Sequence, residues 1–277
     1  MTASPVVDPR APLGSASPAD RLTHPIGAAG LDTISLADLT DIAGLDSRVD
    51  RKYIVDPVQL QMLIDGLGDR LVALDIDGRT DFHYESSYFD TPELDAYLGS
   101  ALNHVDRLKV RTRTYLDLAS TKVEVKVQDA TGITRKFRQD HPFEMRQTLT
   151  EDARWFVESI SPRMGHAALL VPVMTTAYRR ATLVDRQSVA RMTIDANLRC
   201  ADWNGGAVGM PDHFIVEVKS PFGFSHMDQW AWRHGLEPVK VSKFATGLAA
   251  LNPQLPSEKW TDVLEKYFSP VPSLASG

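Results

Sequence analysis

With 277 residues and 43% hydrophobic side chains, the chain can bury the core of one large domain or two small ones, which sets it apart from a disordered polymer. Its formal charge of −6 argues against a general nucleic-acid or membrane-surface binder, whose basic character shows in the whole-domain balance. The single Cys200 permits no internal disulfide, the eight histidines lack metal-ligand spacing, and no apolar run approaches the roughly 18 residues of a membrane span, so a reducing, cytoplasmic setting without export is expected.

Residues 1–30 are rich in Ala, Pro, Ser and Gly without periodicity, and are expected to be disordered. A folded region over 31–251 follows. Ser35 and Asp38 have capping-box spacing ahead of a short helix to Gly44, with Leu36, Leu39 and Ile42 on one side. Over 47–55, Arg48, Asp50 and Lys52 alternate with Val49, Arg51 and Tyr53, which predicts a strand. Asp56-Pro57 supplies an N-cap and a first-turn proline for a helix whose Leu60, Leu63, Ile64 and Leu67 share a face up to Gly66 and Gly68. A strand is expected over 83–89, then a short helix from Pro92 capped by Thr91.

The stretch Arg107 to Tyr115 is the most ordered in the chain. Arg107, Lys109, Arg111, Arg113 and Tyr115 alternate with Leu108, Val110, Thr112 and Thr114, so a strand puts all four cations on one face. Same-face neighbours lie roughly 7 Å apart, so the row repels itself unless water, carboxylates or a polyanion balances it. From Arg107 to Arg138 there are nine Lys or Arg against three acids, a cationic patch inside an acidic protein. Val123, Val125 and Val127 alternate with Glu124, Lys126 and Gln128, and Thr131-Gly132 turns the chain into 133–138, completing an antiparallel meander.

Further on, Thr150 begins a helix carrying Trp155, Phe156 and Ile160. Strands are expected over 173–184, with Tyr178, Arg180 and Thr182 on one alternation, and over 190–198, with Arg191, Thr193 and Asp195 on one alternation. Over 214–220, Phe214, Val216 and Val218 alternate with Ile215, Glu217 and Lys219. Ser225 and Asp228 open a helix that stops at Gly235, and Lys240-Val-Ser-Lys243 precedes an apolar stretch over 244–251. Residues 252–277 hold one short helix, 260–268, and a Pro/Ser tail. The Trp, Phe and Met residues sit mostly at core-like positions.

One reading of these strands is an antiparallel sheet with a dry core side and a solvated charged side, the ordinary arrangement. Against it, a solvated face usually mixes charge signs, whereas Arg107 to Arg113 carry one sign and are mostly arginine, whose fork suits phosphate oxygens. Glu124 with Lys126, and Glu217 with Lys219, point the same way as pairs; each reads either as a surface ion pair or as a carboxylate that holds a divalent cation beside phosphates. No Walker A sequence, Gly-x-Gly-x-x-Gly, kinase signature or Gly-x-Ser-x-Gly elbow is present, so side chains would have to hold any polyanion.

Six motifs in order, Asp50-Arg-Lys-Tyr53, Ser87-Tyr-Phe-Asp-Thr91, Lys109-Val-Arg-Thr-Arg-Thr-Tyr115, Val123-Glu-Val-Lys126, Ile215-Val-Glu-Val-Lys219 and Lys240-Val-Ser-Lys-Phe244, resemble the VTC domain over about residues 45–250. That is the catalytic domain of the vacuolar transporter chaperone polyphosphate polymerase, in the triphosphate tunnel metalloenzyme superfamily. The resemblance implies an α+β fold: an antiparallel eight-stranded β-barrel tunnel with a charged interior, packed outside by helices. It implies transfer of the terminal phosphate of ATP to a growing polyphosphate chain with divalent manganese or magnesium. A triphosphatase on the same fold and a non-catalytic polyphosphate binder are the alternatives. By motif, Arg111, Arg113 and Glu217 are implied as catalytic, with Lys52, Lys109, Arg111, Arg113, Lys126, Lys136, Arg138, Arg180, Arg191, Lys219, Lys240 and Lys243 as phosphate ligands. Glu217 is the implied metal ligand, with Glu124 a second. ATP, triphosphate or polyphosphate are the expected partners; no nucleic acid is expected, and any link to a membrane would need a separate partner. Like charges enclosed in a tunnel oppose folding, so removing several of them is expected to raise the melting temperature.

Overall fold

A computed structural model describes residues 26–28, 30–43, 49–105, 107–161, 167–221 and 223–272. In chain order it contains β1 (Asp32–Ile34), α1 (Leu36–Ala43), β2 (Val49–Val55), α2 (Pro57–Leu67), β3 (Leu71–Leu74), β4 (Asp81–Asp90), α3 (Asp95–Ala101), β5 (Arg107–Tyr115), β6 (Ser120–Gln128) and β7 (Thr134–His141). There follow α4 (Glu151–Ile160), β8 (Val171–Asp185), β9 (Ala190–Ala201), β10 (Ala207–Met210), β11 (Phe214–Ser220), α5 (His226–Arg233), α6 (Lys243–Leu251), α7 (Thr261–Tyr267) and β12 (Ser269–Pro270).

Helix starts follow local chemistry. The Asp56 carboxylate accepts the Gln59 N–H at 2.8 Å while the Gln59 side chain accepts the Asp56 N–H at 3.0 Å, so two amides that α2 leaves unpaired are satisfied. Thr150 caps α4 by accepting the Ala153 N–H, and Ser225 with Asp228 forms the reciprocal box of α5. The helix after β4 departs from expectation. It begins at Asp95 rather than Pro92, because buried Asp90 accepts the N–H groups of Ala96 and Tyr97, both at 2.9 Å, from beyond the turn. The Thr91 hydroxyl accepts the Asp95 N–H and donates to the Asp95 carboxylate.

Eight strands form one antiparallel run in the order β2-β11-β9-β8-β4-β5-β6-β7. The expected strand count and direction are therefore present. Closure into a barrel is not: among the described residues β2 and β7 are not paired with each other. The sheet is nevertheless deeply curved. Lys52 on β2 lies close enough to Lys109 on β5 to disfavour its charge, and Glu217 on β11 close enough to Lys126 on β6 to favour its charge. The very short β1 and β3 form a parallel pair at the side, with β3 on β8; neither shows the alternation by which strands are recognised.

The convex side is dry. Tyr53, Val55, Val216, Val218 and Ile194 pack beneath α2 and α5, and Leu108, Val110, Val123 and Val125 pack beneath α4. Ile26 and Ala28 join the first of these clusters, so core packing begins inside the stretch assigned to disorder; residues 1–25 lie outside the described ones. Trp155 is 67% exposed, and Trp203 and Trp232 are also largely exposed, contrary to their expected core placement. On α4 the buried positions are Ala153 and Val157, and Trp155 projects from the opposite side of that turn.

The helix α6 does not join the convex layer. It lies against the concave face, where Phe244, Ala245, Leu248 and Ala249 pack with Ile54, Tyr88, Met174, Leu198, Cys200 and Ile215. Gly247 permits this approach: a Cβ there would stand 2.5 Å from the Cys200 sulfur. One end of the concavity is thus filled with apolar side chains, leaving the rest to charged ones.

Candidate functional site

The alternation read in β5 is realised: Leu108, Val110, Thr112 and Thr114 are buried on the convex side, and Arg107 to Arg113 turn to the concave side half-buried. Register then stacks these cations in rows across the meander. Lys109, Lys126 and Lys136 stand directly opposite one another, and Arg111, Glu124 and Arg138 form the next row.

Three carboxylates organise this face. Glu124, 1% exposed, receives Arg111 through Nε at 2.9 Å and Nη2 at 2.5 Å on its Oε2. Arg113 lies 3.8 Å from the same oxygen, while Lys136 and Arg138 reach Oε1. Burial opposes its ionisation, yet Arg111, Arg113 and Lys136 outweigh burial and hold the carboxyl well below the usual range. Asp195, equally buried, accepts a two-point grip from Arg180 at 2.5 and 2.7 Å, and a bond from Lys243 at the start of α6. Burial is again opposed by these cations, and the Asp195 pKa falls to about 2. Glu217 pairs with Lys219 at 2.6 Å and with Lys52 at 3.3 Å, and Lys219, Lys52 and Arg180 likewise overcome burial to hold its carboxyl well below its ordinary value.

Tyrosines line the floor between these groups. The Tyr88 hydroxyl accepts from Arg111 at 3.0 Å, Tyr84 stacks on Tyr178 with ring centroids 5.3 Å apart, and Arg180 and Lys243 lie over the Tyr178 ring. Cations over aromatic faces gain attraction while remaining available to an anion.

The structure therefore brings together Lys52, Lys109, Arg111, Arg113, Glu124, Lys126, Lys136, Arg138, Arg180, Glu217, Lys219 and Lys243. Arg191 stands opposite Lys219 in register, at the far end of the face. Lys240 does not join them: it is exposed, close to Lys259, whose pKa is lowered by burial and then by Arg107 and Lys240. Missing from the sequence-based set are Asp195 and the tyrosines Tyr84, Tyr88 and Tyr178. Asp195 shares the alternation of Arg191 and Thr193, but only the fold shows that Arg180 and Lys243 converge on it.

Cations outnumber acids on this face: ten of them surround Glu124, Asp195 and Glu217, while at its margins Asp50 lies near Lys219 and Asp140 pairs with Lys122, so an excess of positive charge is left that these acids do not neutralise. Four lysines of the face, Lys109, Lys126, Lys136 and Lys219, register that excess in lowered pKa values. Burial, then Lys126, Arg107, Lys259 and Lys52, lowers the Lys109 pKa to about 7; burial, then Arg111, lowers that of Lys126 to about 8 even though Glu217 pulls the other way. An unfolded lysine stays protonated to about 10.4, so from pH 7 to 10 the unfolded chain holds more protons and stability rises with pH. A polyanion selects the protonated lysines, so its affinity moves in the opposite sense. The expected result is a melting temperature that climbs between pH 7 and 9 while the tripolyphosphate Kd weakens. Calorimetry in buffers of different ionisation enthalpy should register proton uptake on binding. Lys109→Met should melt higher than wild type at pH 7 and lose part of both trends; a pH-independent Kd would refute this account of the lysine row.

Among the described residues no three His, Cys, Asp or Glu side chains converge as a metal cluster. Glu124 faces four cations, with the Arg111 fork on Oε2 and Lys136 and Arg138 near Oε1. Glu217 keeps 18% of its side chain exposed, and it suits a cation such as Mg²⁺ that is held by one or two carboxylates with the remaining ligands from phosphate and water. The donor set thus fits a metal that arrives with phosphate.

The VTC domain matches residues 47–252 of this chain. A comparison with curated proteins finds no match. Among solved structures, a putative adenylyl cyclase from Hippeastrum, described as having a dominant triphosphatase activity, is 14% identical over 73% of this chain and 95% of its own, with a TM-score of 0.45. A putative adenylate cyclase from Bacillus halodurans is 14% identical over 72% and 95%, with a TM-score of 0.43. The PH1819 protein of Pyrococcus horikoshii is 11% identical over 78% and 99%, with a TM-score of 0.40.

Proposed function

The chain belongs to the VTC domain family, and from that premise we propose that it is a metal-dependent polyphosphate polymerase which moves the terminal phosphate of ATP onto a polyphosphate chain. The observation that carries this reading is the single concave face on which ten cations surround Glu124, Asp195 and Glu217 and outnumber the acids that face them. Phosphoryl transfer needs chiefly alignment and neutralisation of charge on the transferred group, and the arginine pair Arg111 and Arg113 with the surrounding lysines supplies both. A divalent ion, when bound, would add Lewis-acid neutralisation beside Glu217. In this reading, an eight-stranded wall surrounds the phosphates when they are bound.

Transfer makes a smaller demand on the acids of this face than hydrolysis does. Glu124, Asp195 and Glu217 are all held well below the ordinary carboxylate range, so each is a weak base for activating water. A phosphate acceptor is already ionised and needs no such base.

The test is product analysis. Purified protein incubated with ATP and Mn²⁺ is expected to form long chains visible on a gel, and Glu217→Ala should abolish them. Release of orthophosphate alone would make the protein a triphosphatase, and tight tripolyphosphate binding without turnover across several metals would make it a binder.

A further inference from the structure

Tyr115 ends the concave row of β5, two residues beyond Arg113 and four beyond Arg111, so the three side chains project the same way over roughly 13 Å. Its ring is half-buried and meets Tyr84 at 5.1 Å between centroids with planes inclined by 60°, while Tyr84 is stacked in turn on Tyr178. Directly across β6 stands Ser120, too small to cover the ring, and the pairing of β7 ends one residue earlier, at Thr121 opposite His141. Tyr115 is thus an aromatic surface braced from one side and flanked by a small residue on the other.

The end of the face beside Lys109 is filled by Phe244, Leu248 and their partners, in a cluster that reaches Tyr178 and Tyr84 but not Tyr115. A triphosphate seated on Arg111 and Arg113 therefore has one direction in which to extend a nucleoside, toward the Tyr115 end. Resting on the triphosphate reading above, we propose that Tyr115 is a stacking platform for the base of a nucleoside triphosphate whose phosphates lie along Arg113 and Arg111. Stacking tolerates any base, since every base has a π-face, so the site would distinguish nucleotide from bare phosphate chains more strongly than one base from another.

The test compares ATP and inorganic tripolyphosphate as ligands of the full chain. In Tyr115→Ala the ATP Kd should rise about tenfold, the usual scale of one lost base stack, while the tripolyphosphate Kd stays unchanged. Tyr115→Phe, which keeps the ring, should restore ATP affinity. Equal weakening of both ligands, or an unchanged ATP Kd, would overturn the assignment of Tyr115 and leave the phosphate site standing. If wild-type protein binds neither ligand, the triphosphate reading itself fails, and this inference with it.

Discussion

Arg111→Ala is expected to weaken tripolyphosphate binding by at least a hundredfold. Arg111 sits at the centre of the concave face, with one nitrogen on the Tyr88 hydroxyl and two on Glu124, so its fork is already oriented. Charge-assisted hydrogen bonds contribute about 1.5–3 kcal/mol each, and losing two of them moves Kd by roughly two to four orders of magnitude. Arg111→Lys should recover only part of this, because an ammonium cannot make the planar two-point contact. Calorimetric titration at fixed salt checks it; a change within threefold for Arg111→Ala would remove Arg111 from the binding site. Arg113, whose Nη2 is 3.5 Å from the Tyr178 hydroxyl and which only approaches Glu124, should show a smaller stability cost for a similar loss of binding.

Glu124→Gln should separate stability from binding in opposite directions. The carboxylate is buried and faces Arg111, Arg113, Lys136 and Arg138, so neutralising it leaves cations without their counter-charge. Removing one partner of a buried pair costs about 3–5 kcal/mol, and the free protein should melt well below wild type. Tripolyphosphate, however, no longer competes with Glu124 for these cations, so its affinity should increase. Ligand-induced stabilisation follows the ratio of ligand concentration to Kd, and the thermal shift produced by a fixed tripolyphosphate concentration should exceed that of wild type. Weaker binding combined with an unchanged melting temperature would show that Glu124 is not the internal stand-in for phosphate.

The same pairing revises the expectation that stripping cations from the face stabilises the fold. Arg111, Lys136, Arg180 and Lys243 are partners of buried carboxylates, and their loss exposes Glu124 or Asp195 to the cost of uncompensated burial. Relief from like-charge repulsion is expected at Lys109 and Lys126, where burial and neighbouring cations lower the pKa; Lys136 and Lys219 are lowered too, but they also pair with Glu124 and Glu217.

Local pattern and global placement divide cleanly in this chain. Strand alternation over Arg107–Tyr115, Ser120–Gln128 and Phe214–Ser220, and the caps at Asp56, Thr150 and Ser225, were legible because a two-residue period and an i to i+3 hydrogen bond are properties of neighbouring residues. The cationic character of one face followed from the same period. Tertiary structure alone decided that β2 and β7 are left unpaired among the described residues, that α6 enters the concave side, and that Lys240 is exposed, away from the carboxylate pairs. It also decided which acid neutralises which base: Asp195 meets Arg180 from 15 residues away and Lys243 from 48. Those choices depend on register and curvature, which are set by how the apolar faces of distant segments pack, and no short window of residues carries that information.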